Sequence, residues 1–318
     1  FCDFSHVTAV QLPAGVTSIG EDAFYHTPLT ELELPEGITD IEPLAFAYTA
    51  LTTLRLPGSL RTIGDMAFYC TPLTELELPD GITDIGDNAF GGASFTGIYI
   101  PANVRSLGLD AFQSKTLLRY TVSPDNPAYS ADADGVLLDK AGKTLVAFPC
   151  GRDGHYAVPE GILRIADHAF MDGIVSAVTF PPSLTEIGVD AFSGCKALAD
   201  IYTSGNISMC DRYSFFDTPW WEAQSDISYE NGVGIYIDKV LLHTRRANEV
   251  FTVREGTERI AAQAFIRSDC EAMKTLILPD SLRHIDDGAF YICYNLQNVI
   301  LPEGLLTIGH AAFADITA

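Results

Sequence analysis

No apolar run in this chain reaches the ~20 residues that cross a bilayer, so membrane insertion is not expected. Basic residues are scarce: 19 Lys+Arg stand against 42 Asp+Glu, a formal net charge of −23. A surface this acidic repels phosphate and argues against nucleic acid and anionic lipid as partners. A basic partner, a cation or a neutral polymer stays open, and the simplest role of the charge is solubility. Cysteine is sparse and odd in number, 7 in 318 residues, which excludes a small disulfide-stapled scaffold. The opening FCDFSHVTAV has no basic segment leading into an apolar one, so it does not read as a signal peptide. HExxH, P-loop, Gly-x-Ser-x-Gly and strand-borne GxGxxG motifs are all missing. No catalytic, cofactor or metal site is therefore expected.

What the chain has in abundance is one phrase. Residues 29–50 read LTELELPEGITDIEPLAFAYTA, and residues 73–94 read LTELELPDGITDIGDNAFGGAS. Aligned on Ala-Phe, the phrase occurs in ten copies, ending at Phe24, Phe46, Phe68, Phe90, Phe112, Phe170, Phe192, Phe265, Phe290 and Phe313. The early copies are spaced by 22 residues, a repeat length of solenoid proteins. Two longer gaps, before Phe170 and before Phe265, each hold part of another unit plus an insertion. Within a unit, leucines precede a proline by six, three and one, as Leu29, Leu32 and Leu34 precede Pro35. The period-two end reads as a strand. Proline ends it, having no N–H to extend a ladder. Ile-Thr-Asp-Ile then offers a second short strand, and Ala-Phe closes the coil with a ring that fills the interior. One such coil cannot bury its apolar side, but stacked copies can.

The pattern Leu-x-x-Leu-x-Leu-Pro-x-Gly-Ile-x-x-Ile-Gly-x-x-Ala-Phe resembles the BspA-type (treponemal-type) leucine-rich repeat, over nearly the whole chain. The resemblance implies a leucine-rich-repeat solenoid of the right-handed β/α superhelix class. Its parallel β-sheet would lie on one face, with mostly β structure and short helical turns. It also implies a bacterial secreted or cell-surface protein that binds host proteins or other cells. A single solenoid domain over 1–318 is expected. Insertions at about 123–153 and 204–249 each read as a hairpin: Gly135–Asp139 with Thr144–Phe148, and Gly234–Asp238 with Val240–His243.

Three features invite chemistry. Asp132-Ala-Asp134-Gly135 resembles a calcium loop, but Ser130 and Ala141 would hold its first and twelfth positions, so a plain Asp-Gly turn is expected. His168, His284 and His310 fall around Ala-Phe and read as solvated loop residues. Cys70, Cys270 and Cys293 lie nine residues before their proline, and Cys195 holds the matching slot, which predicts a buried cysteine corner. Cys270 and Cys293 would sit in adjacent coils, within disulfide reach.

Side chains two and four residues before each proline are not needed for the core, so a partner is expected there. The candidates are an acidic patch of Glu31, Glu33, Glu75 and Glu77 with Arg55 in its middle, the aromatics Tyr99 and Tyr202, and the apolar Val250, Ile277 and Ile300. Arg55 has a simpler role in relieving repulsion between glutamates. The apolar row implies contact with a partner protein, a second copy or a hairpin folded back over the sheet. A host extracellular or neighbouring-cell surface protein is the expected ligand. A glycan held by the tyrosines is the second class, and a structural spacer the third.

Overall fold

The computed structural model describes residues 6–225 and 233–316. The chain divides into two compact units, Phe1–Asp153 with His168–Ile174, and Gly154–Asp167 with Val175–Ala318. Each unit is a stack of parallel β coils with very little helix, the leucine-rich-repeat solenoid that the repeat implies.

The stacking follows from where the phrase puts its apolar atoms. Leu29, Leu32, Leu34, Ile38, Ile41 and Phe46 are all buried, and their counterparts in the next coils lie over them. In the first unit the rings of Phe24, Phe46, Phe68, Phe90 and Phe112 form one column, with centroids 5.1, 5.2, 5.1 and 5.6 Å apart and planes within 8°. That spacing is close to the distance between neighbouring strands. Two rings outside the aligned series take the same place. Phe148 stacks on Phe170, and Phe215 stacks on Phe192. In the second insertion the slot holds His243-Thr244 in place of Ala-Phe: the Thr244 N–H donates to the Ala264 carbonyl, as the Phe68 N–H does to Ala89.

Most coils contribute to two ladders. The strand before the proline forms the first, as Glu31–Glu33 pairs with Thr53–Arg55 and Gly97–Ile100 with Arg119–Val122. In the second unit Gly154–Ala157, Val175–Thr179 and Asp200–Tyr202 make one such sheet, and Val250–Thr252, Thr275–Ile277 and Asn298–Val299 another. The Ile-x-x-Ile segment supplies the second ladder. In the first unit it runs unbroken through Ser18–Ile19, Asp40–Ile41, Thr62–Ile63, Asp84–Ile85 and Ser106–Leu107. His284 lies on this second ladder in strand His284–Ile285, not in the Ala-Phe loop where the sequence reading placed it, and its Nδ1 is 2.9 Å from the Thr307 hydroxyl.

The corner at Ala-Phe is a turn, not a helix. Residues two before and two after the ring take positive φ, as at Leu44 and Tyr48, Met66 and Cys70, Asn88 and Gly92. This corner corrects the reading of Cys70. Counted from the ring, the inward position is the third residue, held by Thr27, Thr49, Thr71, Cys195, Thr218 and Cys293, all buried. Each of the four threonines donates its hydroxyl to the carbonyl of its own Phe, at 2.7 to 2.9 Å. The coil after Phe68 is one residue shorter than that after Phe290, so counting back from the proline puts Cys70 one place off. It lies on the exposed left-handed position. Cys195, Cys270 and Cys293 are buried as expected, and Cys2 lies outside the described residues.

Both hairpins are present. Leu137–Asp139 pairs antiparallel with Thr144–Ala147 and is joined by Tyr129–Ala131. Val233–Ile237 pairs antiparallel with Val240–Arg245.

Candidate partner-binding face

The alternation of the first ladder leaves every second side chain without a place in the core. All ten residues singled out from the sequence are exposed there: Glu31, Glu33, Arg55, Glu75, Glu77, Tyr99, Tyr202, Val250, Ile277 and Ile300. They fall into separate groups. Pairing of Glu31–Glu33 with Thr53–Arg55 sets Arg55 opposite Glu33. Glu75 and Glu77 stand across a hollow of about 720 Å³ lined by Thr52–Leu56 and Thr74–Glu77. At this step the first ladder is open: among the described residues, 74–78 join no sheet, although the second ladder and the ring column continue past them. Leu54, Leu56 and Leu76 are consequently only half-buried at the floor of the hollow. Tyr99 stands in the neighbouring Gly97–Ile100 pair, beside Thr121.

In the second unit Tyr202 is 55% exposed, and its ring meets His155 edge-on at 6.2 Å. His155 Nε2 is 2.8 Å from the Thr179 hydroxyl, which fixes the imidazole beside the tyrosine. His155 had no part in the expected site, although it stands in the neighbouring outward column, in register with Ala177 and Asp200. Further along, Val250 lies opposite Thr275, and Thr252 opposite Ile277. Ile277 is 48% and Ile300 86% exposed. Between them Thr275–Leu278 and Asn298–Ile300 line a hollow of about 310 Å³. Among the described residues, nothing of the Val233–Arg245 hairpin lines this hollow.

The chemical features resolve into fixed pairs. Asp132 Oδ1 accepts from the N–H groups of Asp134 and Val136, and Asp134 pairs with Arg152, which makes this loop a turn. His168 Nδ1 lies 2.6 Å from Asp110 Oδ2; burial raises the Asp110 carboxyl and the imidazole contact partly offsets that. Cys150 is buried near them. Desolvation and the charges of Asp110 and Asp172 push its thiol up to about 12, so it stays protonated and donates towards the Met171 carbonyl. That is the opposite of an activated nucleophile. No group of three metal-ligating side chains occurs among the described residues.

A BspA type Leucine rich repeat region model matches residues 1–119, 154–228 and 238–318 in six copies. Three solved structures are similar over most of the chain. A leucine rich cell surface protein of Faecalibacterium prausnitzii A2-165 is 27% identical, with 90% of this chain and 76% of that one covered and a TM-score of 0.57. The pneumococcal vaccine antigen PcpA is 19% identical (92% and 71% covered, TM-score 0.62). A leucine-rich repeat protein of Eubacterium ventriosum ATCC 27560 is 21% identical (95% and 81% covered, TM-score 0.59). The last two likenesses are of fold. A search of curated proteins finds no match.

Proposed function

Because this chain belongs to the BspA-type leucine-rich repeat family, we propose that it is a non-catalytic, secreted or surface-displayed module that binds a protein ligand on its first ladder, as an adhesin does. The observation that carries this reading is the pair of outward isoleucines, Ile277 and Ile300, lining a hollow, with Val250 exposed on the adjacent strand, on a face whose other outward residues are largely polar. Water contact with β-branched side chains is unfavourable, and a partner that covers the row removes it. The likeness to a bacterial cell surface protein supports the location. Among the described residues, no helix is long and apolar enough to cross a membrane. A neutral glycan is the second reading, favoured by Tyr202 standing exposed beside the hydroxyl-anchored His155.

The test is capture of host extracellular proteins and neighbouring-cell surface proteins on the immobilised chain, at low and high salt. An Ile277→Asp/Ile300→Asp variant and a Glu75→Lys/Glu77→Lys variant run beside the wild type. A protein held by the wild type and lost with the isoleucines is the expected result. Loss only with the glutamates, together with salt sensitivity, moves the site to the acidic hollow. Capture of nothing overturns the protein-binding reading and leaves the glycan or spacer roles.

A further inference from the structure

Six of the seven cysteines lie in the described residues, none of them in a disulfide, and Cys270 and Cys293 come together. Cys270 and Cys293 occupy equivalent places in successive coils. The Cys270 carbonyl accepts from Met273 N–H and the Cys293 carbonyl from Leu296 N–H, at 3.0 and 3.1 Å. The strands that follow are in parallel register, Thr275 opposite Asn298, so the two cysteines are stacked one coil apart. Neighbouring parallel strands are ~4.8 Å apart, inside the Cα window of about 4.4–6.8 Å that a disulfide spans without backbone movement. The two thiols interact with each other, which lowers the Cys270 thiol and raises that of Cys293.

We infer that Cys270 and Cys293 are a modification site: by exchange with a low-molecular-weight disulfide they form a reversible bridge that staples together the two coils presenting Ile277 and Ile300. The S–H···S bond stabilises a thiolate at Cys270 and holds the Cys293 proton more firmly, which sets the order of events. Cys270 thiolate attacks one sulfur of R–S–S–R, an S–S bond breaks, and R–S⁻ leaves with the proton that Cys270 gave up. Cys293, deprotonated in turn, attacks the Cys270 sulfur of the mixed disulfide and expels the second R–S⁻. Two thiols are oxidised to one disulfide, and one R–S–S–R is reduced to two R–SH.

Both sulfurs are shielded from water at rest, and access comes from the segment that carries Cys270. Arg267–Cys270 is a single helical turn whose N-cap position, Ile266, makes no side-chain cap bond. Such a turn opens readily, because a single hydrogen-bonded turn is a costly nucleus. The same turn braces the second hairpin, since the Ala247 N–H donates to the Asp269 carbonyl at 2.7 Å. Closing the bridge therefore fixes the hairpin seat along with the two ladder strands. This inference does not depend on what the ladder binds.

The experiment treats the reduced full chain with millimolar oxidised glutathione under native conditions, alkylates the remaining thiols after unfolding, and maps the peptides by mass spectrometry. The expected result is one Cys270–Cys293 cross-link, with Cys150, Cys195 and Cys210 recovered alkylated, and a thermal midpoint several degrees above that of the reduced chain. In Cys293→Ser, Cys270 should accumulate as the glutathione mixed disulfide, whereas in Cys270→Ser, Cys293 should not. Recovery of Cys270 and Cys293 as free thiols, or bridges only to other cysteines, overturns the inference. A cross-link that leaves the midpoint unchanged overturns the staple. If a variant fails to fold by circular dichroism, the wild-type map decides alone.

Discussion

At the residue scale, His243 shows what the second insertion has done to the repeat. It occupies the place that Ala holds in other coils and stacks on Trp221, with centroids 5.8 Å apart and planes 18° from parallel. Nδ1 faces the Ala264 carbonyl at 3.1 Å, and Nε2 is 3.6 Å from Asp269 Oδ2. Burial, with Arg212 and Arg245 nearby, lowers its pKa to about 4, against ~6.5 in an unfolded chain. The unfolded state thus takes the proton first as pH falls. Stability from the neutral ring is complete above about pH 6.5, declines between about 6.5 and 4, and is lost below, by at most about 3 kcal/mol. The Asp269 carboxyl, raised by its own burial, works weakly in the other direction. Urea unfolding from pH 7 to 4.5 should show a falling midpoint, and His243→Gln should flatten that part of the profile. An unchanged profile in the variant would assign the pH dependence elsewhere.

At the scale of the element, the Gly of Ile-Gly-x-x-Ala-Phe is explained by neighbours and not by backbone angle. A Cβ on Gly108 would lie 2.3 Å from the Asp87 nitrogen of the preceding coil. Gly20 holds the same slot in its own coil, and a Cβ there would meet nothing within 4 Å. Gly108→Ala should therefore cost about 1–3 kcal/mol by overpacking. Gly20→Ala should be neutral or gain up to about 1 kcal/mol, since it only removes freedom from the unfolded chain. Equal midpoints for the two variants in thermal unfolding would refute the close-approach account. The element scale also limits what periodicity can say. LTELELP occurs at 29–35 and at 73–79; the first copy pairs in a ladder and the second joins no sheet. Identical residues make different backbone bonds, so pairing is decided by the coils on either side. Cys70 teaches the same lesson: its distance from proline matched the other cysteines, but a one-residue difference in loop length sent it outward.

At the scale of the whole molecule, charge is the governing quantity. A net charge of −23 is set against Lys and Arg pairs with carboxylates such as Arg152–Asp134, Lys196–Asp217 and Lys274–Glu249, which are largely exposed and individually worth little. Self-repulsion between like charges then lowers stability at low ionic strength. Raising salt to about 0.5 M shortens the screening length to a few ångströms and should raise the thermal midpoint by a few degrees. A midpoint that falls with salt would mean that the ion pairs outweigh the repulsion. The same screening separates the two candidate surfaces, because binding through Glu75 and Glu77 should weaken with salt and binding through Ile277 and Ile300 should not.

Period and register were legible in the sequence: the 22-residue step, the inward leucines, the ring column, both hairpins and the outward position of all ten ladder residues. They follow because a coil that cannot bury itself has to place like residues over like in the next coil. Tertiary structure alone decided where that regularity fails. It opened the first ladder at Glu75 and Glu77, seated Thr244 in a phenylalanine slot and set His155 against Tyr202. Each of these depends on what the adjacent coil offers across ~5 Å of space, and such contacts join residues that lie 20 or more positions apart in the chain.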